Sequence, residues 1–402
     1  GQVTSFEIGE GFNTVGVTDP LSNSTQLLRD MAGNVISITD AENRTTSMDH
    51  DSMGRVARIV DARLGETSFS YTPIGQLQAL TAANGGTTTY EYLNDYKNVS
   101  KVIDPLGNFS TYEYDSEERL TKVTQEDGSE IVYDFDLLGR PIEMRTADNY
   151  TLISYDKDSL PIRWENPNSV IERQHDSKGR MSVEIQNGFE VAHTRNTKGL
   201  VTNTVLRNPQ DVELFQKTYQ FDVNRNTTRI MVTGFGRSIT WRQVFDSQYR
   251  PAQEFLPNGG QITRTFDELN RVKVLTNYAP GGQVLSKMEF TYSAAGNITQ
   301  IIFTRGGWGD TPASTETINF SYDNLNQLVS ASNEVMNWTL DTLGNRTGAG
   351  YVYNLMNQLL EDPRFSYVFD LRGNLITKID KSNGKRLDYI WNIGNQLVQV
   401  TI

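Results

Sequence analysis

Three kinds of side chain in this sequence have the chemistry to act on something: a recurring aspartate, three histidines and five tryptophans. A carboxylate can move a proton, hold a cation or accept backbone N–H groups. The recurring one directly follows an aromatic residue, as in Tyr114-Asp115, Phe135-Asp136, Phe266-Asp267, Tyr322-Asp323 and Phe369-Asp370. Its place can be followed through Asp30, Asp51, Thr72, Asn94, Asp115, Asp136, Asp156, Asp176, Asn196, Asp222, Asp246, Asp267, Ser293, Asp323, Asp341, Asn354, Asp370 and Asn392. Acid–base or metal chemistry needs one carboxylate set apart by its neighbours. Eighteen copies, sixteen of them Asp or Asn, point instead to a carboxylate that caps a turn.

The other groups read the same way. His50 and His175 stand in the aromatic place of the pattern, and His193 is the third histidine. The pair Glu117-Glu118 falls in a turn, where both carboxylates are solvated. There is no cysteine, hence no disulfide, thiol nucleophile or zinc-thiolate cluster. No His-Glu-x-x-His, phosphate-binding Gly-Lys loop or Gly-x-Ser-x-Gly elbow occurs, so the expectation is a protein that is not an enzyme and needs no cofactor or metal. Trp164, Trp241, Trp308, Trp338 and Trp391 could stack on sugars. Trp338 and Trp391 lie in or beside repeat aromatic places and read as packing. Trp308, in Gly306-Gly307-Trp308-Gly309-Asp310, is the candidate ligand contact. Ten Asn-x-Ser/Thr sites could mark a glycosylated surface, but Asn after the bend and Thr opening a strand already produce them.

The elements that position these groups are hairpins. Aromatics at alternate places, Tyr112 and Tyr114, share one face of a strand. Asp at the first place of a four-residue turn and Gly at the fourth, as in Asp136 and Gly139 or Asp370 and Gly373, is the type I preference. The glycine then re-aims the chain into a bulge before the return strand. A second turn joins one copy to the next, Asp104-Pro105-Leu106-Gly107-Asn108 being the clearest. Arg225 and Tyr249 replace the bend glycine, and neither tolerates positive φ well, so those two turns are expected to differ.

From Asp30 to Asn196 the steps are 21, 21, 22, 21, 21, 20, 20 and 20 residues, a repeat architecture of two short strands and two turns per copy. Later steps widen, which reads as loops inserted near Asn208–Phe215, Tyr278–Ser286 and Gly306–Thr315; then they narrow as strands are trimmed. Residues 1–28 are degenerate, 29–201 regular, 202–320 carry the insertions and 320–402 close the series, all as one domain spanning 1–402. The predicted fold class is all-β: tandem hairpins in one long spiralling antiparallel sheet. Twist curls an open sheet beyond about ten strands. Aromatics such as Tyr112, Tyr114 and Tyr133 are expected to stack in ladders across it.

Composition fits. A hydrophobic share of 37% suits strands with one wet face. The net charge of −12, without runs of one sign, argues against nucleic acid and acidic membranes as partners. No apolar run approaches the roughly 18–20 residues of a membrane-spanning helix. No targeting signal is visible, and Gly1 lies inside the pattern, which reads as an excised fragment.

These residues resemble the YD-repeat, or Rhs, family, over nearly the whole chain from about Leu28 to Ile402. The spacing of Tyr322-Asp323, Asp341-Thr-Leu-Gly-Asn-Arg, Tyr353-Asn354 and Phe369-Asp370 is similar to the closing repeats of an Rhs shell. The resemblance implies a hollow β-cocoon around a toxic polypeptide, secreted or on a bacterial cell surface, with that polypeptide and further shell segments as partners. The family's terminal segment, with its autoproteolytic aspartate, and its variable toxin domain are expected beyond Ile402, so self-cleavage is assigned to no residue here. An adhesion or glycan-binding module, as in the related teneurins, is the alternative.

Overall fold

The computed structural model describes residues 3–9, 14–93, 97–307, 312–333 and 336–402. Asn94 and Trp308 lie outside the described residues. Within them there are thirty-nine strands and no helix. Strands Ser5–Ile8 to Met336–Asn337 belong to a 31-stranded sheet. Val352–Tyr353 to Leu397–Thr401 make a six-stranded sheet, and Thr339–Leu340 pairs with Arg346–Thr347. The ladder is interrupted there because the trimmed repeats leave strands of two residues, too short to carry pairing on both sides.

Pairing follows chain order. Strand Phe109–Tyr114 lies antiparallel to Leu120–Thr124, and that strand to Glu130–Phe135. The register shifts by one between Glu113 and Tyr114, and again between Asp134 and Phe135, so each aromatic preceding the Asp sits at a bulge. The chain divides into two compact units, residues 1–149 with 293–297 and 320–402, and residues 150–292 with 298–319.

Two of the three segments expected as inserted loops are tight turns, and the third, Gly306–Thr315, includes residues outside the described ones. Asn208 to Val212 is an ordinary tight turn, and strand Glu213–Phe221 follows at once. Ala279 to Gln283 is another, between Val272–Tyr278 and Val284–Tyr292. The extra residues lengthen the strands to seven to nine residues, against five or six in the regular copies. Pairing the added N–H and C=O groups across the ladder satisfies them, which a long polar loop would leave to water.

The strands form a single layer. Among the described residues, only Val205, Ala279 and Ala331 of the apolar side chains are 8% exposed or less, and no large side chain is fully buried. The accessible surface is 24226 Å² for 45.3 kDa, whereas a compact protein of that mass exposes about 16,000 Å². Stability therefore comes from side chains packed against neighbours on the same face, and from the turns.

Two turns depart from expectation. Arg225 and Tyr249 adopt φ of 71° and 61°, and their turns close with the same hydrogen bonds as the rest: Arg225 N–H to Asp222 C=O at 3.2 Å, Tyr249 N–H to Asp246 C=O at 3.0 Å. The aspartate fixes the turn, and the fourth residue takes the left-handed conformation regardless of its preference. That conformation costs a non-glycine residue roughly 1–2 kcal/mol, partly offset by glycine's larger entropy loss. Tyr249→Gly should stabilise the chain by about 0.5–1 kcal/mol, read as a higher urea midpoint at unchanged m-value. A lower midpoint would show that the exposed Tyr249 ring contributes more than its strain.

Candidate functional site

The recurring unit is the turn, and among the described residues its Asp copies are built alike. Asp136 Oδ1 accepts the N–H of Leu138 at 2.9 Å and of Arg140 at 3.0 Å, while its Oδ2 accepts from Arg140 Nε at 2.7 Å. Asp115 does the same with Glu117 and Arg119, and Asp267 with Leu269 and Arg271. Where the fifth residue is Asn, its amide replaces the guanidinium: Asn374 Nδ2 donates to Asp370 Oδ2 at 3.0 Å. The N–H groups and the Arg140 side chain hold the Asp136 carboxyl below the usual carboxylate range. Hydrogen bonding to Arg180 takes Asp176 to about 2. These carboxylates are saturated with turn donors. Gly139 and Gly373, at φ of 77° and 83°, supply the bend.

The aromatic residue works across the hairpin rather than stacking on its counterpart. Tyr114 OH donates to Val99 C=O at 2.9 Å, and Tyr71, Tyr92 and Tyr292 reach Val56, Leu77 and Val272 in the same way. Arginines of the turns cover the rings of the next copy: Arg119 lies 4.9 Å from the Phe135 centroid, Arg250 4.6 Å from Phe266 and Arg271 4.3 Å from Tyr292. The ring–ring contacts found among the described residues run along single strands, as in Tyr219–Phe221 and Phe290–Tyr292. Equivalent rings of successive copies are two strands, or about 9.6 Å, apart. The expected ladder of rings is thus a ladder of rings and guanidinium groups. Tyr322 and Phe369 are half-buried at the ends of their strands.

The histidines stay separate. The His193 imidazole, with Thr204 Oγ 3.0 Å from its Nδ1, is held below its ordinary value by burial and by Arg195. His50 and His175 take the ring place in their hairpins. No three His, Asp or Glu side chains converge on one point among the described residues.

Within the first unit, the turns between early copies meet the Asp turns of late copies in order. Glu42 Oε1 accepts the Ala295 N–H at 3.1 Å, and Arg44 donates to Asn326 Oδ1. Arg63 pairs with Asp323 at 3.0 Å and donates to Thr342 C=O at 3.3 Å. Asn84 Nδ2 donates to Leu355 C=O at 3.2 Å, and Arg372 Nε lies 3.0 Å from Asp127 Oδ2. This seam is what sequence reasoning missed. Its residues occupy turn positions that resemble any polar loop. A Cβ on Gly86 would sit 2.5 Å from Leu355 O, so Gly86→Ala should destabilise by about 1–3 kcal/mol through overpacking. Deuterium uptake should rise across 352–361, and an unaltered uptake there would contradict the contact.

The Teneurin YD-shell family model matches residues 17–233 and 258–400. The chain belongs to this family. Solved structures similar to this YD-shell chain include the Photorhabdus luminescens Tc holotoxin pore carrying the TccC3-D651A mutation, at 13% identity and TM-score 0.55, covering 99% of this chain and 26% of that one. A TcdB2-TccC3 structure without its hypervariable C-terminal region matches at 13% identity and TM-score 0.44, covering 99% and 25%. The YD-shell chain thus spans about a quarter of the length of these structures. No curated protein matches it.

Proposed function

We propose that this YD-shell chain is a non-enzymatic wall segment, continuous over residues 1–402, that encloses a toxic polypeptide before delivery outside the producing cell. In this reading the repeat residues Tyr114, Asp115, Phe135, Asp136, Gly139, Phe266, Asp267, Tyr322, Asp323, Phe369, Asp370 and Gly373 are structural. The observation that supports it most is the single-layer sheet, whose aromatic face carries arginine-covered rings rather than a second layer. A wall acts by exclusion: it shields what it surrounds and needs no catalytic group. The saturated turn carboxylates fit that role. The Tc toxin neighbours fit an association with other shell segments.

The test is protease protection. The protein as its cell makes it should hold a polypeptide that resists trypsin until the shell is unfolded. Finding no protected polypeptide overturns the proposal. The adhesion or glycan-binding alternative draws on Trp308 and the ten Asn-x-Ser/Thr sites. It predicts binding on a glycan array that Trp308→Ala abolishes; silence across the array removes it.

A further inference from the structure

Where charged residues face each other across neighbouring strands, this sheet puts a carboxylate opposite a cation. Asp49 faces Arg58 at 3.2 Å, Glu113 faces Lys122 at 3.5 Å and Arg173 faces Glu184 at 2.7 Å. One acidic pair, Asp134 opposite Glu143, brings like charges together, and Arg145 bridges it at 3.8 and 3.1 Å. Its basic counterpart is Arg229 opposite Arg242, the one cation–cation pair in the strand registers of the described residues. Like charges placed directly opposite, with Cβ atoms about 4.5–5.5 Å apart, are destabilising. Here no bridge is present. Among the described residues neither arginine makes an ion pair, and the carboxylates of this region are taken: Asp222 by Asn226, Asp246 by Arg250 and Glu254 by Arg264. The hollow that the two arginines line, about 580 Å³ and open to solvent, has no carboxylate in its wall.

We propose that Arg229 and Arg242 bind a phosphate group, as inorganic phosphate or as a phosphomonoester. The two lie in a transverse row, Gln220–Arg229–Arg242–Phe255, on one face of four strands. Arg242 lies over the Phe255 ring, 4.1 Å from its centroid, which limits the positions open to its planar fork. Gln220 and Thr240 add uncharged donors to the same hollow. A carboxylate carries one charge and answers one cation, as in the pairs above. Two facing arginines are answered by one dianion, whose several oxygens accept from both forks. The net charge of −12 gives the chain no general attraction for anions, so binding is local to this pair. The inference does not rest on the wall reading.

Equilibrium dialysis of the full chain against radiolabelled inorganic phosphate tests this, at about pH 8, well above the second pKa of a phosphomonoester at about 6. Saturable binding of one phosphate per chain is expected, and glycerol phosphate should displace it. Methyl sulfate, a tetrahedral anion of single charge, should displace it at least tenfold less well. Arg229→Gln and Arg242→Gln should each lower the affinity at least tenfold, while Arg237→Gln, on the same hairpin, leaves it unchanged. Arg229→Glu gives this pair the opposite charges found elsewhere in the sheet. It should abolish binding and raise the urea midpoint in phosphate-free buffer, which separates loss of the site from loss of the fold. No saturable binding, equal displacement by methyl sulfate, or unchanged affinity in the Arg229→Gln chain overturns the proposal. Glycerol phosphate binding more tightly than inorganic phosphate would support an ester as the ligand, and the reverse order would support the free ion.

Discussion

Arg63→Ala is expected to release the closing repeats from the early hairpins. Its guanidinium and the Asp323 carboxylate are 12% and 15% exposed and lie 3.0 Å apart, in a chain where few groups are that well covered. Removing one member of such a pair leaves the other without its counter-charge, and the loss should be about 3 kcal/mol. Arg63 also donates to Thr342 C=O, so the variant frees a carbonyl in the neighbouring turn. Repeats 339–361 have strands of only two or three residues and little ladder of their own. The seam therefore carries a larger share of their stability than it does for the long strands. Hydrogen exchange should accelerate in 323–361 and stay unchanged in 203–245. A double-mutant cycle with Asp323→Ala should give a coupling energy above about 1 kcal/mol, since the two side chains share one contact. Additive effects in that cycle would remove the seam from the account of how the unit holds together.

How much of this could be seen in the sequence differs with sequence distance. The Asp cap and the Gly bend were legible, because Asp136, Leu138 and Gly139 lie within four residues as a local pattern with a local cause; the Arg140 guanidinium on Asp136 was not read from it. The long antiparallel sheet followed from repeating that pattern. Arg225 and Tyr249 misled because residue preference was weighed alone, without the aspartate bonds that hold the turn whatever residue stands at its fourth place. The wide steps at Asn208–Phe215 and Tyr278–Ser286 misled because length between turns does not distinguish a loop from a longer strand; Glu213–Phe221 alternates well enough to pair once its partner is long as well. The seam left no local trace. Arg44 and Asn326 are 282 residues apart, and Glu42 and Ala295 are 253 apart. Nothing in Asp61-Ala-Arg-Leu-Gly marks Arg63 as the residue that reaches Asp323. Which row of turns is covered depends on contacts between early and late repeats of the first unit, hundreds of residues apart, and no single repeat encodes it.

Acid should unfold this protein through its turns, in one steep transition. The carboxyls of Asp30, Asp51, Asp136, Asp176, Asp222 and Asp246 all lie below the ordinary aspartate value. The leading causes are the side chain of Asn34 for Asp30, Arg55 for Asp51, Arg180 for Asp176 and Asn226 for Asp222, and the backbone N–H of Arg140 and Arg250 for Asp136 and Asp246. In Asp115 and Asp267 burial pushes upward and the turn hydrogen bonds overcome it. A group whose folded pKa is depressed adds stability above its unfolded pKa and loses it as pH falls through the folded value. With unfolded aspartate near 3.9 and Asp176 at about 2, the window runs from roughly pH 4 down to 2. The sites are distributed along the sheet and all are depressed, so unfolding in acid takes up several protons per molecule. Far-UV circular dichroism against pH, with potentiometric proton uptake, measures this. Asp136→Asn combined with Asp176→Asn keeps an acceptor in each turn but removes two titrating groups, so the transition should become shallower. A sheet signal that persists unchanged to pH 2 would mean that the aspartates do not hold the turns by charge. The seam would add to the transition from its own side, because Glu42, bonded to Ser293 and Ala295, is also held below its ordinary value and protonates as the pH falls.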